Sequence, residues 1–279
     1  MKIFRIAFTV VFLPLAAFPQ TPAEVIADLR KTPFLEASSE YAEALFRRSS
    51  AFIQGNPASH QTFIRENDNI LVQYSTTDCS QEHVMWNAPR GTITQLSYFP
   101  KERIMLPDLS LDLTGFDRQN IDPQNQSIYV LFNKAKGIAI HLRRRVVTAI
   151  IIFPDSSFSA RLCQTDDVQA YYKARRWSFY PIDKRTIVDY NLFPTVNNIS
   201  IVPVVGKDGK FSVLTEASDP ENDPLTYVYK VEAGEIVGSG KNVIWDLTGV
   251  PKGKYEIIAA VDDGCGLCGK YKKSTIEIE

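Results

Sequence analysis

The chain has 279 residues with 31 basic and 32 acidic side chains, a formal net charge of −1, and 44% hydrophobic residues. That balance excludes the basic excess expected of a nucleic-acid-binding protein, and the apolar content excludes an intrinsically disordered chain. The length suits two domains of ordinary size.

Residues 1–5 form a short basic start, and residues 6–18 an apolar run broken only by Thr9 and Pro14. A basic segment followed by a short apolar one reads as a secretory signal peptide over residues 1–20, too short for a stable span. Cleavage is expected between Ala16 and Thr21; retention as a membrane anchor is the other reading. No cysteine stands at that point to carry a lipid anchor. Later in the chain nothing approaches the roughly 18 uninterrupted apolar residues of a transmembrane helix. The mature chain is therefore expected to be secreted or periplasmic, with no transmembrane span after signal removal.

Residues 21–188 read as an α+β domain of unknown function. Helices are expected over 22–30 and 38–53, the second from Tyr41, Ala44, Leu45 and Phe52 at helical spacing, ended by Gly55 and Pro57. Strands are expected over 70–76, 91–99, 103–106, 127–133, 137–142 and 146–153, the last three forming a meander. Ile150, Ile151, Ile152 and Phe153 are apolar on both faces, which makes that strand central. Helices against one antiparallel sheet follow from this order. A helix over 166–177 leads into the most aromatic stretch, with Tyr171, Tyr172, Trp177, Phe179 and Tyr180. Those rings suit either core packing or a carbohydrate platform.

Residues 189–198 read as a linker and residues 199–279 as an all-β module. Pro220 and Pro224 lack N–H donors and force a turn. Leu225, Tyr227, Tyr229 and Val231 then alternate with Thr226, Val228, Lys230 and Glu232, and Tyr255, Ile257, Ala259 and Val261 begin a second alternation. With the runs at 199–205, 211–217, 243–245 and 274–278, about seven turn-punctuated strands give an immunoglobulin-like sandwich. Tyr255 sits where a tyrosine corner belongs.

Asp219-Pro-Glu-Asn-Asp-Pro-Leu-Thr-Tyr227, Trp245-Asp-Leu-Thr-Gly249 and Val261-Asp-Asp-Gly264 together resemble the PKD and cadherin-like immunoglobulin-fold modules of bacterial secreted proteins. The resemblance covers roughly the last third of the chain and implies an extracytoplasmic spacer or binding unit, not a reaction. In the first domain, the segments at 106–113, 136–138 and 152–163 are similar to an uncharacterised secreted domain common in Acidobacteria. In that family the segment closes on Leu-Arg-Cys or similar, whereas here the order is Arg161-Leu162-Cys163, with the arginine one place earlier. This second resemblance implies a bacterial envelope setting and no activity.

Four cysteines in an exported chain suggest two disulfides. Pairing within domains joins Cys79 to Cys163 and Cys265 to Cys268; the first would close a loop of roughly 85 residues worth about 4 kcal/mol. Cys265 and Cys268 frame a glycine-rich turn, where a small local disulfide is a better reading than redox or zinc chemistry. The loop end of the sandwich gathers Asp219, Glu221, Asp223, Asp262 and Asp263. Calcium takes six to eight oxygens, so these residues are candidate ligands, with turn chemistry as the alternative.

No nucleophile elbow, phosphate loop, dinucleotide fingerprint or histidine metal motif is present. His60, His83 and His141 are scattered; Glu82-His83 near Cys79, and Asp155, Asp166 and Asp167, are the weak catalytic candidates. Arg143, Arg144 and Arg145 with Lys134 and Lys136 suggest a solvated basic edge or contact with an anionic polymer. The reading is an exported bacterial envelope protein with a non-catalytic binding, adhesion or assembly role and a protein or polysaccharide ligand. The alternative is a secreted hydrolase with a catalytic first domain, in which Asp155, Arg161, Glu82 and His83 would share a cleft.

Overall fold

The computed structural model describes residues 21–76, 79, 86–120, 126–164, 193–220, 222–264, 267 and 269–278. Among them, no helix is long and apolar enough to cross a membrane.

Helix α1 (Pro22–Leu29) opens with a capping box. The Thr21 hydroxyl accepts from the Glu24 amide, the Glu24 carboxylate accepts from the Thr21 amide, and Pro22 takes the first helical position. Helix α2 (Ser39–Phe46) is half the expected length. The hydroxyls of Ser49 and Ser50 both donate to the Phe46 carbonyl, satisfying that acceptor outside a regular helical ladder. The chain turns through a short 3-10 helix, Arg47–Ser49, into β1 (Ser50–Asn56). Phe52 and Ile53, read above as the end of a helix, are strand residues.

Eight more strands follow: β2 (His60–Arg65), β3 (Asp68–Tyr74), β4 (Ile93–Pro100), β5 (Ile104–Met105), β6 (Asp117–Asn120), β7 (Ile128–Asn133), β8 (Ile138–Arg143) and β9 (Val146–Ile152). They form one antiparallel sheet in the order β1-β2-β3-β4-β9-β8-β7-β6, with β5 beside β9. The expected central place of β9 is met: Ile150, Ile151 and Ile152 are all buried. Val25, Ile26 and Leu29 of α1 and Ala42 and Phe46 of α2 share a core with Ile138, Ile140, Leu142, Val147, Ile150 and Ile152. The alternate residues Val130, Phe132, Ala139, Ile151 and Phe153 form a second cluster on the other face.

Cys79 is joined to Cys163. Beside that bond, Trp86 pairs with Leu162 and the Asn87 amide donates to the Arg161 carbonyl. The long loop between these ends thus contains most of the sheet.

The C-terminal residues form β10 (Thr195–Pro203), β11 (Lys210–Ser218), β12 (Thr226–Val231), β13 (Glu235–Val237), β14 (Asn242–Asp246), β15 (Gly253–Asp262) and β16 (Lys272–Ile278). Two antiparallel sheets, β10-β11-β14-β13 and β12-β15-β16, enclose one core of Val196, Ile199, Val213, Val243, Trp245, Ile257, Ala259 and Val261. Trp245 is fully buried and its indole N–H donates to the Ala233 carbonyl, as a buried indole requires. The Tyr255 hydroxyl donates to the Pro251 carbonyl at 2.8 Å. At Gly234, φ is +71° and an added Cβ would lie 2.2 Å from the Asp246 carbonyl oxygen, so only glycine fits. Strand β10 begins at Thr195, four residues before the sandwich was expected, so the expected linker over 189–198 is shortened. Val196 is buried in the core and its amide donates to the Lys270 carbonyl, which draws those residues into the sheet.

Candidate binding site

The acidic loop end is assembled by register. β11 ends at Ser218, and Thr226 at the start of β12 pairs with Asp262 at the end of β15. Asp219 and Asp223 therefore leave the same end of the module as Asp263. Asp219 Oδ1 accepts from the Asp223 amide at 2.9 Å, and Asp262 Oδ1 accepts from the Gly264 amide at 2.7 Å. These bonds close turns, the ordinary work of aspartate at such positions. Among the described residues, no three His, Cys, Asp or Glu side chains are placed to hold a metal ion. Glu221, Cys265 and Cys268 lie outside the described residues, so the expected local disulfide and the full acidic set are not seen together.

Among the described residues of the first domain, the two histidines are not brought together. His60 opens β2 near the sheet's edge, whereas His141 lies on β8, with β3, β4 and β9 between them. Asp155 accepts from the Ser157 amide and hydroxyl, capping a short 3-10 helix (Ser156–Arg161). The Arg161 guanidinium donates to the Asn87 carbonyl, which gives it a tethering role. Glu82, His83, Asp166, Asp167 and the aromatic residues Tyr171, Tyr172, Trp177, Phe179 and Tyr180 lie outside the described residues.

The expected basic edge is divided. Lys134 and Lys136 sit in the β7–β8 turn, and Arg144 and Arg145 in the β8–β9 turn, at opposite ends of β8. Lys136 is committed: its ammonium bonds Asp112 Oδ2 at 2.9 Å and the carbonyls of Asp112 and Thr114. Those bonds hold the Asp112 carboxyl well below its usual range.

A different place brings side chains together. The outward face of β12, β15 and β16 lies against β1 and β2, where Phe52, Ile64, Val228, Ala260, Leu267 and Tyr271 form an apolar cluster. Tyr271 meets Phe52 edge to face at 6.4 Å between centroids. Lys101, 8% exposed, reaches the same ring: its Nζ stands 5.0 Å from the Tyr271 centroid and donates to the Arg65 carbonyl at 2.7 Å. Burial pushes the Lys101 amine down to about 7 against the pull of Asp68 and Glu66, and pushes the Tyr271 hydroxyl up to about 12. Asp68 itself forks onto Arg65 at 2.6 and 2.7 Å. Lys230 donates to the Ala51 carbonyl at 2.8 Å, and Lys270 pairs with Glu102 at 3.3 Å. Beside this seam a pocket of about 250 Å3 is lined from both sides, by Arg48, Ser49, Ser50 and Ala51 and by Lys230, Glu232, Glu256, Ile258, Tyr271 and Lys273.

Sequence reasoning did not find this junction. Its two sides are more than a hundred residues apart in the chain, and Tyr271 was an unremarkable aromatic before β16. The only local signal was Phe52, misread as helical.

No family model, curated protein or solved structure matches this chain. Both family resemblances noted above therefore rest on their motifs.

Proposed function

We propose that this protein is exported to the bacterial envelope or cell surface and acts there by non-catalytic binding, adhesion or assembly. In this reading an α+β domain, helices on an antiparallel sheet, carries an immunoglobulin-like sandwich of the PKD or cadherin-like kind. Seven strands in two sheets, the buried Trp245 and the Tyr255 hydroxyl bonded to the backbone upstream support that assignment. The basic start and apolar run of residues 1–20 support export.

One observation carries the binding role. On the outward face of β10-β11-β14-β13, Val202, Ser212, Ile244 and Val237 lie in one cross-strand row, with Leu214 in the next. Val202 is 56% exposed and Val237 47%, and Leu214 is also exposed. Several exposed apolar side chains grouped on one sheet face, with Ser212 among them, support a contact with another macromolecule. The test is sedimentation of the mature protein with envelope fragments from the source bacterium. Co-sedimentation, lost in the double variant Val202→Asp, Val237→Asp with its circular dichroism unchanged, is expected. A protein that stays in the supernatant, or a variant that sediments as well as the parent, refutes the reading.

A further inference from the structure

The pocket at the junction is built by both halves of the chain. Lys230, Ile258 and Lys273 form one cross-strand row on the outward face of β12, β15 and β16. Arg48 to Ala51 stand across from that row. Ile258, which is buried, and the half-buried Tyr271 give the pocket an apolar floor. Three cations, Arg48, Lys230 and Lys273, surround it, and Glu232 and Glu256 are the acidic residues of its wall.

The hydrogen-bond inventory shows what the pocket still has to offer. Lys230 spends one N–H on the Ala51 carbonyl, and Lys273 spends one on Glu256 Oε1 at 3.1 Å. Each ammonium keeps two further donors. Glu232 Oε2 accepts from the Glu256 amide at 2.9 Å. Among the described residues, the Arg48 guanidinium has no hydrogen-bond or ion-pair partner, so its planar fork is open to a carboxylate. With three positive and two negative side chains the lining carries a formal charge of +1. That matches one negative charge, whereas a dianionic phosphate would be repelled by the two glutamates.

We propose that this pocket binds a monosaccharide-sized sugar carboxylate, a hexuronate. Its carboxylate meets Arg48 and Lys230, the C–H face of the ring rests on Ile258 and Tyr271, and ring hydroxyls donate to Glu232 and Glu256. The volume agrees, lying just below the roughly 300–1,000 Å3 that suits drug-sized ligands. Placement at a seam between two folded units also agrees with where small-molecule sites form. This site is separate from the open apolar sheet face, and the inference does not depend on what covers that face.

The test is isothermal titration of the full mature chain with D-glucuronate, with D-glucose as the same ring lacking the carboxylate and acetate as the carboxylate lacking the ring. Saturable glucuronate binding is expected, with glucose and acetate each at least about tenfold weaker. Arg48→Gln, at an exposed side chain that holds nothing else in place, should weaken glucuronate about tenfold or more, the cost of a lost charge-assisted pair. Equal affinity for glucuronate and glucose, no saturable binding of glucuronate, or Arg48→Gln binding as the parent does would each overturn the proposal. Envelope co-sedimentation is read separately and stands or falls without it.

Discussion

His141 should be the main acid-sensitive point of the nine-stranded sheet. It is 5% exposed on β8, between Val130 of β7 and Ala149 of β9, and among the described residues its Nε2 has no hydrogen-bond partner. Burial alone pushes its pKa down from 6.5 to about 4. In the unfolded chain the imidazole takes a proton near its ordinary value, while in the folded chain it stays neutral. The unfolded state therefore binds more protons between about pH 6.5 and pH 4, and stability falls as the pH drops through that window. A shift of this size corresponds to about 3 kcal/mol of stability, present in full above about pH 7 and lost by about pH 4. Leucine at this position fills a similar volume and has no titrating group. Urea unfolding of the parent and of His141→Leu, followed by circular dichroism from pH 8 to pH 4, isolates the effect, because the carboxylates common to both proteins cancel in the difference. The two proteins should be of similar stability at pH 8, and the variant ahead by about 3 kcal/mol at pH 4. Parallel loss of stability in both proteins would refute the assignment.

Two further outcomes follow from the covalent link and the acidic loops. Replacing Cys79 and Cys163 together by serine should lower the stability of the first domain by about 4 kcal/mol, the entropy of the released loop; chemical denaturation of the two proteins gives the value directly. At the acidic end, turn amides already use one oxygen each of Asp219 and Asp262, so millimolar calcium should leave the unfolding midpoint of the mature protein unchanged relative to chelator. A rise in midpoint that disappears in Asp223→Ala would instead establish a calcium site there.

The strands that were legible in the sequence are those whose side chains report their own burial. Leu225, Tyr227, Tyr229 and Val231 mark the one face of a strand that meets the sandwich core, and the runs at 150–152 and 257–261 are apolar throughout because both faces are buried. Strand β6 escaped detection because Asp-Arg-Gln-Asn has no apolar residue. It joins the sheet by backbone pairing with β7 and by the Arg118 guanidinium, 4.0 Å from the Tyr129 ring centroid. Strand β13 is only three residues long. The overextended second helix shows the limit of periodicity: Phe52 fits the helical stripe of Tyr41 and Leu45, yet it faces Tyr271, more than two hundred residues away. A contact of that kind leaves no local pattern. The acidic loop end was legible as a cluster of turns. The junction pocket was not, because Arg48 and Lys273 become neighbours only through the docking of two folded units.

That docking also settles how the two ends of the large sheet are kept from sticking. At one end β6 is short and polar, a poor template for a foreign strand. At the other, β1 is longer and carries Phe52 and Ile53, and it is shielded by a neighbour: Lys230 occupies the Ala51 carbonyl and Tyr271 covers Phe52. An open edge of that kind invites further strands. The sandwich thus acts as a guard on its own partner's solubility, and a shortened protein ending before Thr195 would expose β1 and self-associate.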